Sequence, residues 1–266
     1  MIHGERGAAA RHPGTTTPRL PPVRRISVAD VRFAFGAGMA DWRDHPLAGM
    51  GFGLVYSATG AVILAVLLST GRAYLVVPAL SAFLLIGPGI ALGLYEISRR
   101  IERDEPITMP AVICAGLRHG GGQIALFGVL LLVICAAWIA SAELLFHTLL
   151  DGPGPSLGAL LRTVATTADG ARYAVAGTLV GAVFAAVSFL IGVVGAPMLI
   201  DRDIDALTAC RTSVRAVQGS PGAYLAYGAL VTAIVAAGMA AFLVGLLVAL
   251  PVIGFTTWHL YRHAIG

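Results

Sequence analysis

The chain has 266 residues and a formal net charge of +4 at pH 7, from 18 basic and 14 acidic residues. Apolar residues make up 57% of it and charged residues only 12%, and the mean hydropathy is +0.83. Soluble globular domains carry about 25% charged residues, so this composition excludes that class and predicts an all-α membrane helix bundle with several spans.

The segment before the apolar runs is polar. The first 25 residues contain five arginines together with Pro, Thr and Gly, and they lack the apolar stretch of a cleaved secretory signal. We therefore expect residues 1–25 to form a disordered Arg/Pro-rich cytoplasmic tail and residues 26–266 to form the membrane domain.

Five uncharged runs follow, each long enough for a membrane-crossing helix, which needs about 20 residues. The last run, from Ala216 to Tyr261, is too long for one helix and is divided into two, with a turn between Gly238 and Gly245. The sequence thus predicts six spans, at about residues 47–69, 73–97, 121–146, 173–200, 222–242 and 244–262.

Arginine is distributed unevenly between these spans. It is abundant before the first span, between the second and third, and between the fourth and fifth, and Arg262 lies at the end of the sixth. Because cytoplasmic loops hold the excess of arginine, we expect both termini in the cytoplasm and residues 148–172 in the main extracytoplasmic loop. The predicted location is the bacterial cytoplasmic (inner) membrane, with the lipid bilayer as a partner.

A spacing of residues recurs along the chain. Asp, Pro and Gly lie sixteen and then seven residues apart at Asp30, Pro46 and Gly53, and again at Asp205, Pro221 and Gly228. The middle unit keeps the intervals with Glu105, Gly121 and Gly128 but lacks the proline. Each unit opens with apolar residues at helical spacing. We therefore predict three related hairpins, each preceded by a short cytoplasmic amphipathic helix.

The even-numbered spans each contain a proline, at Pro88, Pro197 and Pro251. A proline inside a helix frees a carbonyl group, which in a membrane must find another donor, so we expect kinks or breaks that face the protein interior. Two interpretations remain open. The prolines either shape the packing alone, or the broken helices line a shared cavity, as they do in transporters.

Two acidic residues lie near the ends of the spans. Glu96 has Arg99 and Arg100 at helical spacing, which favours a salt bridge or an interfacial position. Glu143 has no basic neighbour in sequence, and His147 follows one helical turn later. The pair is either interfacial or a candidate cation or proton site at the outer mouth of a pathway.

The sequence contains none of the common catalytic or nucleotide-binding motifs. His259 and His263 have the spacing that lets two imidazoles share a metal, which alone is a weak signal. We therefore predict no enzyme, no catalytic residue, no cofactor, no metal site and no nucleic-acid partner.

Four stretches carry a resemblance to a known family: Ala29 to Arg32, Asp41 to Pro46, Gly93 to Arg100 and Pro197 to Asp203. With them the chain resembles the bacterial predicted integral membrane proteins called domain of unknown function 2189, over about Val28 to Ile265. The resemblance implies a membrane location and topology, and it brings no catalytic residues. Some members carry a cytochrome oxidase subunit label, but no predicted span here has the central histidine that haem or copper needs.

These observations predict a non-enzymatic accessory or structural protein of the membrane. A second membrane protein or another copy of the chain is the candidate partner. The alternative is a transporter of small solutes or lipids, with a cavity among Pro88, Pro197 and Pro251 and with Glu143 near its outer mouth.

Overall fold

The computed structural model describes residues 20–118, 122–150, 156–240 and 244–266, and no strand occurs among them. The all-α class is therefore confirmed. The first six helices are α1 (Val28–Asp44), α2 (Pro46–Ser69), α3 (Val76–Leu85), α4 (Gly87–Ile90), α5 (Leu92–Glu102) and α6 (Met109–Arg118). They are followed by α7 (Gln123–Leu149), α8 (Leu157–Thr166), α9 (Ala168–Gly192), α10 (Gly195–Asp201), α11 (Ala206–Gly219), α12 (Pro221–Ala240) and α13 (Leu246–Ile265).

Four helical segments are long and apolar enough to cross a membrane. They are α2, α7, α12 and the stretch Ala168–Asp201, which comprises α9 and α10. These segments coincide with the first, third, fifth and fourth predicted spans. Between 22% and 33% of the residues in their most apolar windows are buried, which leaves most of their apolar surface for lipid.

The other two predicted spans are helical but differ from a simple membrane helix. Residues 73–97 are divided into a 3-10 turn (Ala73–Leu75), α3, α4 and the first half of α5. Residues 244–262 lie in α13, which continues through Pro251, and 13 of its 20 residues are buried. The count of six spans and the three hairpins therefore stay predictions. Residues 241–243, within the predicted last turn, lie outside the described residues, as do residues 1–19 of the predicted tail.

The helices α1 and α11 begin with side-chain caps, at the places where the sequence predicts amphipathic helices. The hydroxyl of Ser27 accepts from the N–H of Asp30, and the Asp30 carboxylate accepts in return from the backbone of Ser27 at 2.7 Å. Asp205 accepts from the N–H of Thr208 at 2.8 Å. Because these bonds favour the ionised carboxylate, Ser27 lowers the pKa of Asp30 and Thr208 lowers the pKa of Asp205.

The first and third repeat units turn in the same way. α1 ends at His45, with φ −130° and ψ 52°, and α11 ends at Ser220, with φ −145° and ψ 56°. A proline begins the next helix in both units, where its missing N–H costs nothing. The proline of the repeat therefore marks the entry into α2 and α12. In the middle unit this turn includes residues 119–121, outside the described residues.

The centre of the molecule is formed by α5, α10 and α13, which contact one another. α13 also packs against α1, α2 and α12. Several of the largest fully buried side chains come from these central helices, including Trp258, Tyr261 and Met198. Pro197 on α10 and Pro251 on α13 thus lie inside, whereas α4, which contains Pro88, is only partly buried.

Candidate functional site

The break between α3 and α5 is closed by donors from three other helices. The last turn of a helix has carbonyl groups without intrahelical partners, and Pro88 supplies no N–H. Ser188 on α9 donates its hydroxyl to the carbonyl of Leu85 at 2.7 Å. Tyr56 on α2 donates to the carbonyl of Phe83, and Cys135 on α7 donates its thiol to that of Ala82 at 3.0 Å. These three carbonyls thus have protein partners within the apolar interior.

The proline of α13 is accommodated by close contact with α2. A proline at position 251 leaves the carbonyl of Leu247, four residues earlier, without its helical donor. A Cβ added at Gly53 would lie 2.6 Å from this carbonyl oxygen. One added at Gly49 would lie 3.0 Å from Cβ of Pro251. Because Gly49 and Gly53 have no side chains, the backbone of α2 can approach α13 closely at Pro251.

Pro197, on α10, follows a break between α9 and α10 and is buried. Within this break, the N–H of Val194 donates to the hydroxyl of Ser213 on α11 at 3.1 Å. Gly192, at the end of α9, packs against Pro88: a Cβ added there would lie 2.9 Å from Cγ of that proline. The structure thus brings the break at Pro88 next to the end of α9, five residues before Pro197.

One opening in the described part lies away from these prolines. It is a cleft of about 520 Å³, lined by residues 22–24, Glu102 and residues at the end of α13, including Arg262 and His263. A second, much smaller space of about 10 Å³ is lined by residues that include Tyr56, Phe83 and Leu246. Neither is lined by Pro88, Pro197 or Pro251.

Glu143 and His147 meet in an aromatic cluster at the other end of the bundle. The hydroxyl of Tyr74 donates to Oε1 of Glu143 at 2.8 Å, and Nε2 of His147 lies 3.3 Å from the same oxygen. Phe146 stacks on Tyr74 with ring centroids 4.0 Å apart, and Tyr173 donates to the Tyr74 carbonyl. Both ionisable side chains are partly open, with 39% and 55% of their surfaces exposed. The sequence analysis identified Glu143 and His147 but not the tyrosines.

Glu96 is fully buried and forms ion pairs with both neighbouring arginines. Arg99 donates through Nε to Oε2 at 2.6 Å, and Arg100 donates through Nε to Oε1 at 2.7 Å. Two charge-assisted bonds compensate for the removal of the carboxylate from water. The salt bridge that the spacing favoured is therefore present, and Glu96 has no oxygen left unpaired.

Further ion pairs join the ends of the central helices. Arg262 on α13 binds Glu102 on α5 through Nε and a terminal nitrogen, at 3.0 and 2.8 Å. Asp201, at the end of α10, accepts from the hydroxyl of Tyr261 at 2.7 Å and from Arg103 at 3.2 Å. The sequence analysis missed this cluster because the bonded partners lie 60 to 160 residues apart in the chain.

The two histidines at the end of α13 have acidic partners on α1. Nε2 of His259 lies 2.9 Å from Asp41, and Nδ1 of His263 lies 3.5 Å from Asp30. Asp41 also accepts from the hydroxyl of Ser98 on α5 at 2.8 Å. The described residues contain no group of three or more His, Cys, Asp or Glu placed to hold a metal ion. These contacts fasten α1 to the central helices.

Comparison with known proteins matches part of the chain to a protein family. The family model described as "Predicted integral membrane protein (DUF2189)" matches residues 76–201, which run from the start of α3 to the end of α10. No curated protein and no solved structure matches the chain. The matched region contains two of the three prolines, Glu96 and Glu143. The resemblance seen in the sequence is therefore confirmed over a narrower range than expected: residues 76–201, just under half of the chain, are similar to the predicted integral membrane proteins of this family.

Proposed function

We propose that this protein is a non-enzymatic accessory or structural component of the bacterial inner membrane. In this proposal six spans form three related hairpins, and both termini lie in the cytoplasm. The repeated turns at His45 and Ser220 support related units, because two distant parts of the chain adopt the same backbone conformation before a proline. A partner would be another membrane protein or a second copy of the chain.

The observation that carries the proposal is the closure of the central helix breaks by protein groups. A transport pathway needs polar groups that are free to replace a solute's water. Here the carbonyls of Ala82, Phe83 and Leu85 are already bonded to side chains of neighbouring helices. The breaks thus serve the packing of the helices, and the protein itself supplies the hydrogen bonds that irregular backbone needs inside a membrane.

The distribution of charge supports the proposed orientation. The ion pairs of Glu96, Glu102 and Asp201 collect at one end of the central helices, together with the arginine-rich segments of the chain. Glu143 and His147 lie at the far end of α7, next to the 3-10 turn between α2 and α3. The arginine-rich end is assigned to the cytoplasm because basic segments resist translocation.

Thiol labelling in membrane vesicles tests whether the centre is dry. In a background with Cys114→Ala, Cys210→Ala and Cys135→Ser, whose hydroxyl keeps a donor for the Ala82 carbonyl, single cysteines would be introduced by Leu94→Cys and Met198→Cys. These two positions are 4% and 0% exposed. Gly36→Cys is the control, since nothing lies within 4 Å of its added Cβ. We expect a membrane-impermeant maleimide to label the control in inverted vesicles, and to label the two central cysteines only after denaturation. Labelling of the central cysteines in the native protein would overturn the proposal.

The alternative function, a transporter of small solutes or lipids, is favoured by the cluster around Glu143. A partly exposed carboxylate at the rim of the bundle, with an imidazole 3.3 Å away, has the chemistry of a cation or proton site. If the protein is a proton-coupled transporter, Glu143→Gln should abolish pH-driven flux in proteoliposomes. Flux that is equal in the variant and the wild type would remove Glu143 from the mechanism.

A further inference from the structure

The exposed face of α11 combines two free arginines with a large apolar side chain. Leu207, Arg211 and Arg215 follow one another at intervals of one helical turn and are all exposed, Leu207 by 58%. Neither arginine has a hydrogen-bond or ion-pair partner among the described residues. Arg99, Arg103 and Arg262, by contrast, are held by carboxylates.

The opposite face of α11 is fixed to the protein. Ala209, Thr212, Ser213 and Ala216 are buried, and α11 contacts α7, α9 and α10. Ser213 accepts from the N–H of Val194 in the break between α9 and α10. The orientation of the helix is therefore set by packing, which turns the arginine-bearing face away from the bundle.

The position of α11 brings this face to the membrane boundary. α11 ends at Ser220, and the candidate membrane span α12 begins at the next residue, Pro221. The carboxylate of Asp205, at the start of α11, accepts hydrogen bonds from the N–H and the hydroxyl of Thr208 and does not pair with either arginine. At this level the available anions are lipid phosphates, and the available apolar surface is the upper part of the acyl chains.

We propose that the face formed by Leu207, Arg211 and Arg215 binds the headgroup of an anionic phospholipid. The planar guanidinium groups offer paired donors to phosphate oxygens, and Leu207 packs against the acyl chains below. An anionic lipid is favoured over a zwitterionic one because α11 carries two exposed arginines and no acidic residue. The inference goes beyond the proposed function and does not depend on whether the protein transports a solute.

Native mass spectrometry of the full chain, extracted in mild detergent, measures this preference. The protein would be mixed with equal amounts of phosphatidylglycerol and phosphatidylcholine, and the ratio of bound lipids would be counted. The test variant is Arg211→Gln/Arg215→Gln. The matched control is Arg72→Gln/Arg162→Gln, which removes the same charge from two exposed arginines elsewhere.

We expect the wild type and the control to retain phosphatidylglycerol preferentially. Each arginine near an anionic headgroup contributes about fivefold to binding, so the loss of two arginines should lower the ratio by about 25-fold in the test variant. Arg211→Lys/Arg215→Lys should keep much of the preference, which separates loss of charge from loss of folding. An unchanged ratio in the test variant, or an equal fall in the control, would overturn the proposal.

Discussion

Substitution of Gly53 by alanine tests the contact between α2 and α13. The added Cβ would lie 2.6 Å from the carbonyl oxygen of Leu247 and 2.9 Å from its Cα. Both are backbone atoms that cannot move without shifting α13, so the substitution should cost about 1–3 kcal/mol through overpacking. Gly51→Ala is the matched control, because it lies on the same helix and nothing is within 4 Å of its added Cβ.

The comparison removes the effect of helix propensity. Gly→Ala in a helix interior contributes about 1 kcal/mol of stability in both variants, so the difference between them isolates the contact with Leu247. Equilibrium unfolding in mixed micelles, followed by circular dichroism, measures this difference in the free energy of unfolding. We expect Gly53→Ala to be less stable than Gly51→Ala by about 1–3 kcal/mol. Equal stabilities would refute the close approach of α2 to the proline of α13.

Three further predictions concern buried and capping groups, measured in the same unfolding assay. Glu96→Gln should lower the free energy of unfolding by about 3–5 kcal/mol, because Arg99 and Arg100 lose their ion pairs at 2.6 and 2.7 Å and keep only the longer ion pairs with Glu105. Asp169→Asn, in the exposed pair with Arg172, should lower it by less than about 1 kcal/mol. Equal losses in the two variants would contradict the buried ion pairs. Tyr56→Phe should lower the free energy of unfolding by about 1–3 kcal/mol, because the Phe83 carbonyl loses its donor. An unchanged free energy would contradict the role of Tyr56 as the donor to this carbonyl. Because the pKa of Asp205 is lowered in the folded state, its ionised carboxylate stabilises the fold above the unfolded pKa, about 3.9, and this stability is lost as pH falls through the folded pKa. Asp205→Asn should therefore weaken the dependence of the unfolding free energy on pH below about pH 4. An unaltered pH profile would refute this cap.

The candidate spans could be predicted from the sequence because an apolar helix of sufficient length has few alternatives to the bilayer. The pairing of Glu96 with its arginines was also predictable, since partners three and four residues apart meet on a helix whatever the tertiary structure. The proline that follows α1 and α11 was visible in the sequence as a repeat, and its position at the start of α2 and α12 gives that repeat a physical reason.

The closure of the helix breaks could not be predicted in the same way. Tyr56, Cys135 and Ser188 are separated from the carbonyls that they satisfy by 27, 53 and 103 residues. Each lies in an apolar run, where a hydroxyl or thiol has no pattern that identifies its partner. The difference between α13 and the lipid-facing helices was hidden for a similar reason, because hydropathy measures affinity for an apolar environment and does not distinguish lipid from protein.

The proposed function requires a dry centre where α5, α10 and α13 meet. A cryo-EM map of the protein in lipid nanodiscs, at a resolution that shows ordered water, tests it directly. We expect density for the side chains of Tyr56, Cys135 and Ser188 to reach the carbonyls at the end of α3, with no continuous water between α5, α10 and α13. A hydrated passage along Pro88, Pro197 and Pro251 that opens toward Glu143 would contradict the claim and favour the transporter.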